Sequence, residues 1–219
     1  MPTAEYSIEP IESAPFAQVT YIAWRAGSHD ALVIDPGFDV AAIREFLERK
    51  SLVPVAILNT HGHVDHIAGN RALKQAFPDA PLIIGVNEIE LLANPDANLS
   101  TAFGQPITSP AADLTVVEGQ TLDLAGFGFE VREIPGHSPG SVVFICNTVE
   151  PPFAFVGDVL FAGSVGRCDL GGNAAQLLSG IRAKLWNLPD GTLVLPGHGS
   201  PTTIGIEKRT NPYAGGTGA

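Results

Sequence analysis

The fold of this chain is decided by the stretch Val55-Ala56-Ile57-Leu58-Asn59-Thr60-His61-Gly62-His63-Val64-Asp65-His66. Its apolar beginning predicts a buried strand, and its end carries four potential metal ligands within six positions. These ligands are His61, His63, Asp65 and His66. Imidazole and carboxylate suit zinc, iron or manganese, and because no sulfur is present, a closed structural zinc site is not expected. The spacing predicts a metal site in a loop at a strand end, followed by a helix that starts at Ile67.

Three further potential ligands follow apolar strands elsewhere in the chain. His137 stands in Pro135-Gly136-His137, Asp158 in Val156-Gly157-Asp158, and His198 in Pro196-Gly197-His198. Strand ends on a common edge of packed sheets can converge on one cleft. Seven ligands exceed what one tetrahedral ion needs, so we expect two divalent ions about 3.5–4 Å apart. A hydroxide shared by two ions is a nucleophile near neutral pH, and this predicts hydrolysis.

Composition narrows the classes of protein that fit. The 219 residues are 45% hydrophobic, which favours one well-packed domain over disorder. The chain has 12 Lys and Arg against 23 Asp and Glu, and the formal net charge of −11 disfavours a nucleic-acid partner. With two cysteines, no signal-like N-terminus and no run of about 18 apolar residues, we expect a cytoplasmic protein without a membrane span.

The order of apolar runs and turns predicts an α/β protein. In the first half strands alternate with helical patterns, and a helix capped by Asp39 is expected from Val40 to Leu47. Residues 114–145 carry strand patterns with turn-length gaps, which predicts an antiparallel meander. A strand over residues 153–156 precedes a helix capped by Asn173. We predict a single domain over residues 1–219, built as a four-layer αββα sandwich, with a flexible tail from about residue 214 to 219.

These ligands and their sequence context resemble the metallo-β-lactamase superfamily over residues 35–198. The segments Gly136-His137-Ser138-Pro139-Gly140-Ser141, Gly157-Asp158-Val159-Leu160-Phe161, Gly166-Arg167 and Pro196-Gly197-His198-Gly199 resemble its glyoxalase II-like hydrolases, especially the short bacterial members. The resemblance implies the metallo-β-lactamase fold and a distribution of the ligands over two ions. The first ion would be held by His61, His63 and His137, the second by Asp65, His66 and His198, and Asp158 would bridge them. Zinc is the expected metal, with iron or manganese as alternatives.

The same resemblance implies a thioester hydrolase acting on a small molecule such as S-acylglutathione. A metal-bridging hydroxide would attack the carbonyl carbon, with Asp65 and Asp158 as the catalytic carboxylates. A thiol with a pKa of about 8.5 leaves readily as thiolate, so no dedicated general acid is needed. Glyoxalase II proper carries a further helical region whose basic residues grip glutathione, whereas this chain ends 21 residues after His198. Arg167 is therefore assigned to substrate binding, with a salt-bridge role as the alternative.

Two other functions stay open at this point. An iron-dependent persulfide dioxygenase would use a single iron with open coordination positions for oxygen. A non-catalytic metal-bearing interaction module would hold a partner in its cleft and show no turnover. Asp35, in Ile34-Asp35-Pro36-Gly37, is interpreted as a turn residue or as a group that orients a ligand, and it is not assigned to the metal.

Overall fold

Residues 6–216 are described in a computed structural model, and they contain two six-stranded sheets. The first sheet contains, from edge to edge, β1 (Tyr6–Ser13), β2 (Gln18–Arg25), β3 (Asp30–Ile34), β4 (Val53–Asn59), β5 (Leu82–Gly85) and β6 (Leu114–Val116). The second contains, in chain order, β7 (Thr121–Leu124), β8 (Phe127–Glu133), β9 (Val142–Cys146), β10 (Phe153–Gly157), β13 (Leu193–Pro196) and β14 (Thr202–Thr203). A hairpin of β11 (Leu160–Phe161) and β12 (Ser164–Val165) follows β10.

The main core lies between the two sheets. Because side chains alternate across a strand, β2 turns Tyr21 and Ala23 toward the second sheet and Ile22 to the opposite face. From the second sheet, phenylalanines fill the same layer, among them Phe129 and Phe155. Each buried aromatic side chain of this kind contributes about 1.5–3 kcal/mol through removal of apolar surface from water. The sheets therefore hold one another in a defined position.

Helices cover the outer face of each sheet. The first sheet is covered by α1 (Val40–Lys50), through Ile43 and Leu47, and by α3 (Asn70–Ala76). The second is covered by α5 (Ala174–Lys184) and α6 (Ile204–Thr210). Both predicted caps are present, since side chains of Asp39 and Asn173 accept hydrogen bonds from the first turns of α1 and α5. The four-layer αββα sandwich is confirmed.

Several details of the predicted order are wrong. Strand β6 pairs in parallel with β5 in the first sheet, so the antiparallel meander comprises β7, β8 and β9 and does not start at Leu114. Strand β1 was not predicted. It contains Pro10, which has no amide hydrogen, and this is tolerated because β1 lies at the edge of the sheet. The helix near the ligands, α2 (Val64–Ile67), begins before Ile67. Between α3 and β6 lie α4 (Ile89–Ala93) and 3₁₀ turns at Val86–Glu88 and Ser100–Phe103.

The C-terminal residues bear on the predicted flexible tail. Ala214 is fully buried in the core beneath α5 and α6, and the backbone amides of Gly215 and Gly216 bond to carbonyl groups of Asn211 and Lys208. The packed part of the chain thus continues to residue 216. Residues 217–219 of the predicted tail lie outside the described residues. Within residues 6–216, no helix has the length and hydropathy that crossing a membrane requires.

The strand directions bring several strand ends to one edge of the sandwich. Strands β3 and β4 are parallel, and in the other sheet β8, β10 and β13 run in one direction, because β9 is antiparallel to both β8 and β10. Backbone hydrogen bonds tie the two sheets at this edge, from Val19 to Gly197 at 2.7 Å and from Val142 to Thr60 at 2.8 Å. The loops after these strands are consequently held close together.

Replacing Phe155 with alanine should lower the free energy of unfolding of the metal-free protein by about 3–5 kcal/mol. The ring is fully buried and contacts the rings of Tyr21 and Phe153 at centroid distances of 5.5 and 5.2 Å, so its loss leaves a cavity between the sheets. Urea unfolding followed by circular dichroism measures the change. Val117→Ala, at a position that is 49% exposed, is the control and should cost less than about 0.5 kcal/mol. Equal effects of the two substitutions would contradict this assignment of the core.

Candidate metal centre

Three histidines form the first group of potential metal ligands. His61 and His63 follow β4, and His137 lies in the turn after β8. The Nε2 atom of His137 is 2.9 Å from Nδ1 of His63 and 3.3 Å from Nε2 of His61. All three side chains are buried, and their donor atoms lie within 4.8 Å of one another. The three nitrogens therefore face one small space.

The second group consists of Asp65, His66 and His198. Asp65 and His66 lie in α2, and His198 follows β13. His198 Nε2 is 3.2 Å from Asp65 Oδ2, and His66 Nε2 is 3.8 Å from the same oxygen. Donor atoms of this group also lie within 4.8 Å of one another. The structure thus brings all predicted ligands of this set together at the sheet edge.

Asp158 lies between the two groups. Its Oδ2 atom is 3.4 Å from Nε2 of His137 in the first group and 3.6 Å from Nε2 of His198 in the second. Its other oxygen, Oδ1, is 3.4 Å from Nε2 of His66. One carboxylate therefore contacts both groups, which is the position that its predicted bridging role requires.

The donors fit a transition-metal site in two respects, the chemical type of the donor atoms and the missing hydrogen bonds of two of these atoms. His66 Nε2 and Asp158 Oδ1 are buried and lie 3.4 Å apart, but neither makes a hydrogen bond of good geometry to a described residue, which is costly for polar atoms unless a ligand satisfies them. Gly197 leaves the room that these atoms need, because a Cβ there would lie 2.4 Å from Asp158 Oδ1. Nitrogen and carboxylate donors of this kind suit zinc, iron and manganese. The residues present therefore fit the predicted pair of ions.

Asp35 orients two of the histidines, His66 directly and His61 through the hydroxyl of Thr60. Its carboxylate accepts hydrogen bonds from the backbone amide of Thr60 at 2.7 Å, from the Thr60 hydroxyl at 2.6 Å, and from His66 Nδ1 at 3.0 Å. Since the Thr60 hydroxyl donates to Asp35, its oxygen is left to accept from His61 Nδ1, 3.1 Å away. These hydrogen bonds hold Nδ1 of both imidazoles and direct Nε2 toward the cleft. The structure agrees with the interpretation of Asp35 as an orienting residue.

Backbone carbonyl groups orient two more imidazoles. His137 Nδ1 donates to the carbonyl oxygen of Arg167 at 2.8 Å, and His198 Nδ1 donates to that of Phe16 at 3.1 Å. A carbonyl oxygen only accepts, so the proton sits on Nδ1 and Nε2 faces the neighbouring donors. Second-layer hydrogen bonds of this kind hold ligand rings in a defined orientation.

Burial and charge set different protonation states in the first group and in the second. Burial, followed by the neighbouring imidazoles, lowers the pKa of His61 well below its ordinary value, and burial with His137 lowers the pKa of His63 to about 3. Burial also acts to lower the pKa of His66, but Asp65, Asp158 and Asp35 together raise it well above the ordinary value. In the metal-free protein His61 and His63 are therefore neutral, while His66 carries a proton at neutral pH.

The other ionisable groups of the site follow the same pattern. Burial acts to lower the pKa of His198, but its hydrogen bond to Asp65 and the charge of Asp158 raise it. Burial acts to raise the carboxyl pKa of Asp158, yet His66 and the neighbouring histidines hold it well below its usual range. Both carboxylates are thus ionised at neutral pH, since the pKa of Asp65 is also lowered. In the metal-free protein, the proton on His66 partly balances the negative charge of Asp65 and Asp158, which a bound cation would otherwise balance.

A glutamate that the sequence analysis did not identify connects the ligand loops. Glu88 is fully buried and accepts hydrogen bonds from the amide of Gly62 at 2.8 Å, from the hydroxyl of Ser138 at 2.7 Å and from the amide of Gly140. Gly62 lies between His61 and His63, and Ser138 follows His137. One carboxylate therefore holds the two loops of the first group together. Its position in the exposed-looking sequence Asn87-Glu88-Ile89-Glu90 carries no signal of this role.

The side chains of Arg167 and of the remaining histidine bond to groups other than the donors. The guanidinium group of Arg167 is exposed and paired with Asp169 at 2.7 Å, which is the salt-bridge alternative stated above. Its assignment to substrate binding stays a prediction. His29 bonds through Nδ1 to the carbonyl of Ser51 at the opposite end of β3, so the remaining five histidines of the chain are those of the site.

A polar pocket opens beside the first group. It has a volume of about 340 Å³, and its lining adds the polar side chains of His63, His137, Ser138, Asn173 and Glu90 to apolar ones such as Leu91 and Leu170. The pocket gives a small molecule direct access to the nitrogen donors. The site can therefore combine bound metal with a reactant held in an open cleft, which is the arrangement that hydrolytic metal catalysis needs.

Comparison with known proteins places this architecture in a family. A family model described as the metallo-β-lactamase superfamily matches residues 14–198. Hydroxyacylglutathione hydrolase GloC from Haemophilus influenzae is 39% identical over 211 residues, covering 94% of this chain and 97% of the relative. The residues matched by the family model include every predicted ligand and the strands that carry it.

Solved structures agree with this comparison. The BLEG-1 B3 metallo-β-lactamase superposes with a TM-score of 0.90 and 38% identity, over 96% of this chain and 100% of that one. TTHA1623, in a di-iron-bound form, gives a TM-score of 0.81 and 36% identity, over 94% of this chain and 99% of that one. Similarity at this level extends over the whole sandwich and its metal-binding edge.

Asp35→Asn should weaken metal binding by about 10- to 100-fold without unfolding the protein. The amide nitrogen of asparagine cannot accept from Thr60 or His66, so the orientation of both histidine rings becomes less defined. Competition with a chromophoric chelator measures the affinity. Asp39→Asn is a matched control, because asparagine caps a helix as well as aspartate and Asp39 is exposed. Unchanged affinity in Asp35→Asn would contradict the orienting role.

Acidification from pH 7.5 to 5.5 should remove one ion before the other. Because the pKa values of His66 and His198 are raised, protons compete with a cation in the second group as pH falls, whereas His61 and His63 remain neutral. We expect metal content, measured by elemental analysis after dialysis at each pH, to fall from two ions per chain to one. His198→Ala should hold one ion across the whole range. Simultaneous loss of both ions would show that the two groups do not differ in this way.

Proposed function

The chain belongs to the metallo-β-lactamase superfamily, and on that premise we propose that it is a glyoxalase II-like hydrolase that cleaves thioesters with two bound metal ions. The observation that carries this proposal is the carboxylate of Asp158, which lies 3.4 Å from His137 in one donor group and 3.6 Å from His198 in the other. A single ion would need only the first donor group, so Asp65, His66 and His198 would not serve as ligands. The similarity to a hydroxyacylglutathione hydrolase supports a thioester as the substrate.

In this proposal some residues hold the metal ions and others keep those ligands in position. His61, His63 and His137 would hold one ion, Asp65, His66 and His198 the other, and Asp158 both. When bound, such ions polarise a carbonyl oxygen and lower the pKa of water to about 7. Asp35, Thr60 and Glu88 keep the donors in place before any substrate arrives. Preorganised donors of this kind avoid reorganisation during the reaction.

The leaving group favours a thioester over an amide. A thiolate with a pKa of about 8.5 departs without a proton, whereas an amine needs one. Five of the six histidines belong to the donor groups, and His29 lies at the other end of β3. No imidazole is therefore free in the cleft to protonate an amine. Zinc is the proposed metal, and iron is the alternative in view of the di-iron form of TTHA1623.

Elemental analysis of protein purified without added metal, combined with assays of S-2-hydroxyacylglutathione, glutathione persulfide and a β-lactam, tests the proposal. We expect two ions per chain and thioester cleavage that is independent of oxygen. One iron per chain with oxygen uptake on the persulfide would favour the dioxygenase. Hydrolysis of the β-lactam alone would assign the activity of the BLEG-1 relative, and no turnover on any substrate would favour an interaction module.

Asp158→Asn should lower both the metal content and the thioester turnover, the latter at least tenfold, because the amide removes the negative charge shared by the two groups. His29→Ala provides the control, since this exposed side chain bonds only to the backbone of Ser51. Full retention of metal and turnover in Asp158→Asn would overturn the bridging assignment. Circular dichroism distinguishes loss of metal from loss of fold.

A further inference from the structure

A second pocket, apolar in character, adjoins the candidate metal centre. It has a volume of about 260 Å³, and Phe16, Phe38, Phe103, Val64 and Ile107 form its apolar wall. The ring of Phe16 lies 4.8 Å from that of Phe103 and 5.7 Å from that of Phe38, measured between centroids. Phe103 is 56% exposed, so a large apolar surface is left open to solvent. Exposed apolar surface of this kind marks a binding site when it lines a concavity.

Two residues of the pocket wall are joined to the donor groups, one through the chain and one through a hydrogen bond. Val64 stands between His63 of the first group and Asp65 of the second, and its amide donates to the carbonyl of Asn98 at 3.0 Å. Phe16 carries the carbonyl that accepts from His198 Nδ1 at 3.1 Å. A carbonyl group held at the donors would therefore have the apolar pocket on the side of Val64 and Phe16, and the polar pocket on the side of His63 and His137.

The residues that line the two pockets indicate which substituent of the carbonyl group each pocket suits. None of the described residues that line the apolar pocket is ionisable, whereas His63, His137 and Glu90 line the polar one. Neither lining includes Lys or Arg, so neither pocket has a cation to recognise a carboxylate. The chain as a whole carries a net charge of −11, which adds repulsion for anionic groups. An uncharged apolar group suits the aromatic pocket best.

We propose that the aromatic pocket binds the acyl group of the thioester, and that the preferred substrates carry an aromatic or branched apolar acyl group rather than a small hydroxyacyl group. This inference rests on the proposed thioesterase function. At about 30 Å³ for each water-sized group, the pocket holds roughly eight or nine non-hydrogen atoms. Phenylacetyl has this size, whereas 2-hydroxypropanoyl is about half as large and polar. The thiol arm would occupy the polar pocket.

The substrate preference can be measured with thioesters of N-acetylcysteamine, whose thiol arm is small and uncharged. With metal-loaded protein, we expect kcat/KM for the phenylacetyl and 4-methylpentanoyl thioesters to exceed that for the 2-hydroxypropanoyl thioester at least tenfold. A single methylene in an apolar pocket changes kcat/KM by about 10- to 200-fold, so the difference is well within reach of such a site. Equal kcat/KM values across the series would overturn the proposal.

Phe103→Ala should lower kcat/KM for the phenylacetyl thioester about tenfold and change that for the 2-hydroxypropanoyl thioester less than twofold. Tyr213→Ala is a matched control, since Tyr213 is also 56% exposed but lies beyond α6 on the outer face of the second sheet. It should leave both values unchanged. A uniform loss on all substrates in Phe103→Ala would mean that the ring supports the site without selecting the acyl group.

Binding to the metal-free protein separates this inference from the proposed function. Saturation-transfer NMR should detect the uncharged phenylacetamide on the wild-type chain and on Tyr213→Ala, and a signal reduced several-fold on Phe103→Ala. If no thioester is hydrolysed but this pattern is present, the thioesterase function fails while the apolar pocket stands. If thioesters are hydrolysed but phenylacetamide does not bind and no acyl preference exists, the function stands and the inference fails.

Discussion

The buried carboxylate of Asp35 is the group on which the metal-binding edge depends most. It sits at the end of β3 and receives hydrogen bonds from the Thr60 amide, the Thr60 hydroxyl and His66. These three bonds join two neighbouring strand ends, and they decide which nitrogen of His61 and of His66 faces the cleft. A buried carboxylate is costly unless it is fully hydrogen-bonded, so this network has essentially one satisfactory arrangement. The orientation of the donors is therefore present before metal arrives.

Packing of the two sheets brings the second half of the site against the first. The apolar layer between the sheets holds β10 and β13 at a set distance from β3 and β4, so that Asp158 contacts His66 and His198 contacts Asp65 of the other sheet. Close approach at this edge needs small residues. Gly157 has a φ of +49°, and a Cβ there would lie 2.1 Å from the Thr60 hydroxyl oxygen. The apolar layer between the sheets thus positions the polar side chains of the metal-binding edge.

Much of the sheet and of the donor set could be predicted because the signals are local. A buried strand is a short apolar run, and its C-terminal end is where His61, His137, Asp158 or His198 follows. The sheet to which a strand belongs is not local. Residues 114–116 have the same pattern as the strands after them, yet they pair with β5, because the partner depends on the path of the intervening chain. Strand β1 was missed because Pro10 and its mixed polarity disguise an edge strand.

Residue type and periodicity are enough to predict the layered α/β architecture, the seven candidate donors and the strand ends on which they stand, because these signals are local. Which partners keep the candidate donors in place depends on tertiary packing. Glu88 contacts loops that lie 26 and 50 residues away, and Phe16 reaches His198 across 182 residues. The aromatic pocket likewise joins Phe16, Phe38 and Phe103 from separate loops. Such contacts leave no periodic trace, because they depend on how packed sheets bring distant loops together.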